Sequence, residues 1–336
     1  MKVAYYPARP GEPSLADPSL ADLGYASPGA GTVVTIGAFD GVHLGHRRLI
    51  ERVRTAAGEI GALSVVVSFD RHPASVVRPG SAPSLLTDLD QKLSLLAATG
   101  TDITLVLHFD AQRAAEPAEE FVAEVLVGCL NVRAVVVGHD FHFGRNREGD
   151  VALLQRMGAR LGFDVTGIRL SRSGPTSGAE TEAISSTMIR RLVGAGDVGA
   201  AARLLGRWYQ LRGIVGHGDK RGRELGFPTA NLEVDQEMQL CADGVYAGWY
   251  LRPDGTRHQT AVSVGRQPTF FASRPFSLVE AHLLDFQGDL YDEMGTVELV
   301  AQLRGQVKFV SVEALIDQMT VDVAQTRRAV AGASPV

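Results

Sequence analysis

Four short, almost wholly apolar runs alternate with helical patterns in the first half of the chain. They are Thr32–Ile36, 64–69 (SVVVSF), 103–109 (ITLVLHF) and 134–138 (AVVVG). Helical spacing follows from His43 to Ile60, and again over 91–98, 118–126 and 151–161. Strands with no polar face are buried on both sides. Alternating with helices, they predict an α/β half: a parallel sheet with helices on both faces. Ligands of such sheets sit at the C-terminal ends of the strands. The residues suited to chemistry fall there: Gly37–His46, Asp70–Pro73 and Gly138–Gly144.

The stretch after the first of these runs reads GAFDGVHLGH, Gly37–His46. It is a small-residue turn that opens a helix, and the first N–H groups of a helix together with its dipole favour an anion. Gly37, Gly41 and Gly45 let backbone approach a ligand closely, with Phe39 and Asp40 between them. His43 and His46, three residues apart, can donate to phosphate oxygens. The residues alone are equally those of polar side chains at a helix start or half of a metal site.

Two further stretches carry weaker signals. GHDFHFG, Gly138–Gly144, contains Asp140 and by itself reads as a turn anchored by two aromatics. ISSTMIR, Ile184–Arg190, reads as a helix cap, with Ser186 and Thr187 at the start and Arg190 one turn further on.

The second half changes character. Strand patterns cover 208–215, 244–251, 260–264, 277–284 and 297–303, separated by turns such as Pro253-Asp254-Gly255. Regularly spaced short strands predict a mainly antiparallel β-barrel, followed by a C-terminal amphipathic helix over Val312–Val323. A glycine-rich basic loop, Gly216–Asn231, follows the first strand and contains Gly218, Lys220, Gly222 and Arg223. That composition suits a polyphosphate and equally a solvated hairpin tip. The boundary is placed in the small-residue stretch 194–206, which is partly helical. This gives domains at 1–193 and 207–330 with 194–206 as linker.

A net charge of −5 argues against bulk nucleic-acid binding but not against a nucleotide. The two cysteines, Cys129 and Cys241, form no C-x-x-C pair and read as structural thiols of a reducing compartment. The N-terminal residues hold no signal-peptide core, and no apolar run is long enough to span a membrane, so a cytoplasmic protein is expected.

The strand followed by H-x-G-H resembles the nucleotidylyltransferase superfamily, and the longer string Gly37–His46 resembles its bacterial FAD synthetase branch. Similar enzymes carry G-x-(Asn/Asp)-Phe-x-Phe-Gly, matched at 138–144, although His142 stands where Arg is frequent. They also carry I-S-S-T-x-x-R, matched at Ile184–Arg190. The second half resembles riboflavin kinase through G-R-x-L-G-x-P-T-A-N (Gly222–Asn231), Asp243-Gly244-Val245-Tyr246, Gly265-x-x-Pro268-Thr269 and Val279–Phe286. It departs at Arg266-Gln267 and at 270–274. Together the halves resemble the bifunctional riboflavin kinase/FMN adenylyltransferase family over about residues 30–328.

That resemblance implies a Rossmann-like nucleotidylyltransferase domain that makes FAD and pyrophosphate from FMN and ATP. It also implies a barrel domain that makes FMN and ADP from riboflavin and ATP. His43 and His46 would hold the ATP phosphates from one side, and Ser186, Thr187 and Arg190 from the other. Gly37, Phe39, Asp40, Gly41, Gly45 and Asp140 would line the nucleotide, with Gly218, Lys220, Gly222 and Arg223 serving the kinase. Thr229 and Asn231 would hold Mg2+, and Glu280 would be the general base. Implied partners are riboflavin, FMN, FAD and ATP, with a homo-oligomer left open. Alternatives are transfer to another phosphate compound, activity in one half only, and a non-catalytic flavin-binding module.

Overall fold

The computed structural model describes residues 1–6, 31–169, 184–217, 226–265 and 276–333. They form two compact units, Met1–Pro83 with Thr87–Ser185, and Ser84–Leu86 with Ser186–Val336.

The first unit is built on a six-stranded sheet: β1 (Lys2–Tyr6), β2 (Thr32–Ile36), β3 (Leu63–Phe69), β4 (Ile103–Leu107), β5 (Val132–Gly138) and β6 (Asp164–Ile168). The order is β1-β4-β3-β2-β5-β6 and every pairing is parallel. From β2 the chain winds through β3 and β4 to one side, then through β5 and β6 to the other. The switch point therefore lies between the ends of β2 and β5, where a crevice opens in such sheets.

The helices are α1 (Leu44–Ile60), α2 (Pro73–Val77), α3 (Leu89–Ala97), α4 (Ala111–Ala114), α5 (Ala118–Phe121) and α6 (Val151–Leu161). Alternation along each strand sends neighbours to opposite faces. Val34, Ile36, Val65 and Val67 pack with Phe121, Val125, Leu126 and Leu154. Val33, Val66 and Val136 pack with Leu49, Ile50, Val53 and Leu96. Both faces of the sheet are thus covered, as the apolar runs predict.

Two details differ from the sequence reading. The helical pattern at 118–126 continues from α5 as a π-helix over Val122–Cys129. The sixth strand, β6, was not predicted. Its residues DVTGI are half-buried or exposed at the sheet edge, so no apolar run marks it.

The second unit begins with α7 (Ser186–Gly194) and α8 (Val198–Leu205). Six strands follow: β7 (Tyr209–Gly216), β8 (Ala230–Asp235), β9 (Gly244–Leu251), β10 (Arg257–Val264), β11 (Phe276–Leu283) and β12 (Met294–Gly305). They close into a barrel of order β10-β11-β8-β7-β12-β9 with antiparallel pairings throughout. Leu211, Val215, Leu232, Val262, Val279, Ala281, Val297 and Leu299 are buried.

The final helix, α9 (Val312–Ala331), runs past the predicted Val312–Val323. Its last turns are needed because Val330 docks with Ala202 of α8, Ala247 and Val300. The stretch 194–206 is accordingly helical for much of its length and packed on the barrel. The sequence reading gives no strand at β8, whose first two residues end the basic loop Gly216–Asn231. Its alternation of Ala230, Leu232 and Val234 with Asn231, Glu233 and Asp235 spans only six residues and directly follows that loop.

Candidate active sites

At the end of β2 the backbone is forced into a sharp turn. Phe39 and Val42 both have positive φ, 48° and 37°, and Gly41 between them has φ 81°. Non-glycine residues in that region carry strain that a surrounding network must hold. Here the network is Thr87. Its N–H and hydroxyl donate to Asp40 Oδ1 at 3.1 and 3.3 Å, and its Oγ1 accepts from the Gly41 N–H at 3.1 Å. Asp40 is buried, so this carboxylate shapes the turn.

The turn delivers His43 as the N-cap of α1, where its Nδ1 accepts from the His46 N–H at 3.3 Å. In a neutral ring the proton then sits on Nε2. The two imidazoles stack with centroids 3.6 Å apart, and Phe39 lies edge-on to His46 at 5.1 Å. His46 Nδ1 is buried with no hydrogen-bond partner, so Nε2 is the nitrogen left to meet a ligand. Burial, and to a lesser extent the neighbouring His43, pull the His46 pKa well below 6.5. The pair therefore offers His46 as a neutral hydrogen-bond donor at pH 7. Gly45 lies close to this pair: a Cβ there would stand 3.1 Å from the His43 ring and 3.5 Å from the Ile184 carbonyl.

Across the switch point, the loop after β5 stacks Phe141 on Phe143 at 5.4 Å, and Phe143 leans on Phe121. Asp140 is exposed, and the His142 ring bonds its backbone oxygen at 2.8 Å.

In the second unit, pairing register brings the kinase candidates together. Glu280 of β11 stands directly opposite Asn231 of β8 and Ser263 of β10. Asn231 in turn stands opposite Gly216 of β7. Cβ atoms of directly opposite residues in a sheet lie about 4.5–5.5 Å apart on one face. Here it is the outer face, because Val279, Ala281, Ala230 and Leu232 fill the barrel interior. His282, also on that face, bonds the Pro228 carbonyl at 2.8 Å and meets Phe227 edge-on, pinning Phe227–Thr229 against β11. Asn231 Oδ1 is buried without a partner. A hard carbonyl oxygen in that position suits a Mg2+ ion, which takes few protein ligands beside substrate phosphates.

The family model for FAD synthetase matches residues 27–188, and that for riboflavin kinase matches residues 205–330. A Pseudomonas fluorescens bifunctional riboflavin kinase/FMN adenylyltransferase is 38% identical over 297 residues, 88% of this chain and 92% of its own. The Escherichia coli K12 protein of the same description is 36% identical over 296 residues, with the same coverage. The chain belongs to the bifunctional riboflavin kinase/FMN adenylyltransferase family. A solved Streptococcus pneumoniae structure described as a macrolide-efflux protein is 30% identical with a TM-score of 0.77, covering 90% of this chain and 95% of its own. Among the described residues of the present family member, no helix is long and apolar enough to cross a membrane.

In this bifunctional riboflavin kinase/FMN adenylyltransferase family member, Gly37, Phe39, Asp40, Gly41, His43, Gly45 and His46 form one continuous turn and helix start. Ser186 and Thr187 open α7, in the second unit, and the Arg190 Nε donates to the Ser84 carbonyl at 2.6 Å. Gly218, Lys220, Gly222 and Arg223 lie outside the described residues, as do Arg266, Gln267 and 270–274.

Sequence reasoning missed Thr87, whose bonds hold the first turn, and the buried Lys92 of α3, whose Nζ donates to the Phe69 carbonyl. Thr87 belongs to no motif. Lys92 does leave a trace: it occupies the place of an apolar residue in the helical stripe Leu89, Lys92, Leu96.

Proposed function

We propose that the chain runs two successive reactions of flavin cofactor synthesis, with the residues assigned as follows. In the second unit, Glu280 accepts the proton of the riboflavin 5′-hydroxyl, whose oxygen attacks the γ-phosphorus of ATP, giving FMN and ADP. A carboxylate within hydrogen-bond reach suits that task. Thr229 and Asn231 are the protein ligands for Mg2+, which supplies charge neutralisation on the phosphates. Gly218, Lys220, Gly222 and Arg223 complete the phosphate loop.

In the first unit a phosphate oxygen of FMN attacks the α-phosphorus of ATP, and pyrophosphate leaves. The nucleophile is already ionised, so no base is required, and positioning with electrostatic stabilisation carries the step. His43 and His46 donate to the ATP phosphates at the N-terminus of α1. Gly37, Gly41 and Gly45 admit the nucleotide to the backbone, Phe39 and Asp40 hold the turn, and Asp140 lines the crevice. Ser186, Thr187 and Arg190 are the further phosphate ligands that the family resemblance assigns. We place both reactions in the cytoplasm, with riboflavin, FMN, FAD and ATP as the small-molecule partners.

The observation that carries the reading is the presence in one chain of the stacked His43–His46 pair at the end of β2 and of Glu280 opposite Asn231 in the barrel. The test is incubation with riboflavin, ATP and Mg2+, with the flavins separated over time. FMN that appears and then converts to FAD supports both assignments. FMN alone removes the first unit's reaction, and FAD only from added FMN removes the second unit's. Bound flavin with no turnover leaves a non-catalytic module.

A further inference from the structure

Lys92 is only 7% exposed, in a helix whose same stripe carries Leu89 and Leu96. A buried ammonium group is costly unless it is paired. Its Nζ donates to the carbonyl of Phe69, the last residue of β3, at 2.7 Å. The carboxylates acting on it are Asp40, in the turn that follows β2, and Asp70, just beyond β3. Position in the helix explains the reach. Asp88 caps α3 in a capping box with Gln91, so Thr87 and Lys92 are the N′ and N4 residues. A hydrophobic staple brings together those two positions. In this chain both are polar: Thr87 bonds Asp40 in the turn, and Lys92 bonds the end of β3.

We infer that Lys92 is a positioning residue for adenylyl transfer, its ammonium group holding the Gly37–Gly41 turn and the end of β3 at a fixed spacing. The inference rests on the FMN adenylylation proposed for this unit. The turn carries positive φ at Phe39, Gly41 and Val42, so it depends on outside restraint. The start of α3 supplies it: Thr87 bonds Asp40 and Gly41 within the turn, and Lys92, five residues on, bonds the end of β3.

The charged surroundings are few. Asp40 faces Lys92 from the turn after β2. Asp70 faces it from the end of β3, flanked by Arg71 at 3.6 Å and by His108, of the loop after β4, at 2.7 Å. On α3 itself Asp88 and Asp90 lie at the N-terminal end. Burial draws the Lys92 pKa down to about 8, against the opposing pull of Asp40 and Asp70. The brace is therefore charged at neutral pH and releases in mild alkali.

The experiment measures FAD formation from FMN, ATP and Mg2+ by the full chain between about pH 6 and pH 10, spanning the range over which lysine sheds its proton. FMN formation from riboflavin in the same preparations is the internal control. Lys92→Met is expected to lower kcat for FAD formation about a hundredfold, the scale of a small misplacement of reacting groups, with FMN formation unchanged. The wild-type FAD rate should decline above pH 8, and Lys92→Arg, charged throughout, should lack that decline. Unchanged FAD formation in Lys92→Met, an equal loss of both activities, or the same alkaline decline in wild type and Lys92→Arg would each overturn the inference. A wild type that forms no FAD overturns the assigned reaction instead. The brace is then read from hydrogen exchange at the Gly41 amide: faster exchange in Lys92→Met supports it, and unchanged exchange overturns it.

Discussion

The His43 and His46 rings lie face to face, 3.6 Å between centroids and 18° from parallel, with His43 Nδ1 capping the His46 amide. His43 therefore has two tasks, ending the turn and fixing the ring that follows. Replacing His46 by Ala should lower FAD formation by roughly 10²–10³-fold, the usual loss of an electrostatic donor, with FMN formation intact. Assaying both products from one preparation checks this.

His46 also links stability to pH. Its folded pKa is depressed, so between that value and 6.5 the unfolded chain binds the proton and the folded chain does not. The contribution is complete above pH 6.5 and declines as the pH falls below it. Urea midpoints at about pH 5 and pH 7.5, on either side of the ordinary histidine value, should differ less in His46→Gln than in wild type.

Thr87 and Asp40 form the other restraint on the turn. Thr87→Val keeps the shape and the backbone N–H bond to Asp40 but removes the hydroxyl, so the Gly41 N–H loses its acceptor and the buried Asp40 carboxylate loses one of its donors. A loss of about 1–3 kcal/mol is expected in denaturant titration, together with slower FAD formation and an unchanged kinase rate.

In the barrel, Glu280→Gln should abolish most FMN formation and leave FAD formation from supplied FMN as it was. Asn231→Ala removes the buried Oδ1 on the same face. It should raise the Mg2+ concentration needed for half-maximal kinase rate by roughly tenfold, the equivalent of one hydrogen bond to a charged group. A Mg2+ titration of the kinase rate checks it.

Much of this was legible in the residues alone. Apolar runs with no polar face announced a two-sided parallel sheet, because only burial on both sides tolerates them. The string Gly37–His46 announced a turn that delivers histidines to a helix start. Alternation along the strand pattern at 277–284 sets Glu280 on the face opposite Val279 and Ala281, which the barrel buries. Where the pattern was weak the reading fell short: β6 is an edge strand with no apolar run, and β8 is a short alternation following the basic loop.

Other facts required the folded chain. Glu280 and Asn231 are far apart in sequence, and only strand register sets them opposite each other. The depressed pKa of His46 comes from burial and a stacked neighbour, neither of which a motif encodes. Thr87 meets Asp40 across a gap of 47 positions that the β3 crossover closes. Local sequence determined which elements form, because helix and strand periodicities are properties of neighbouring residues. The tertiary structure decided which charges meet, because burial and electrostatics depend on distance through space.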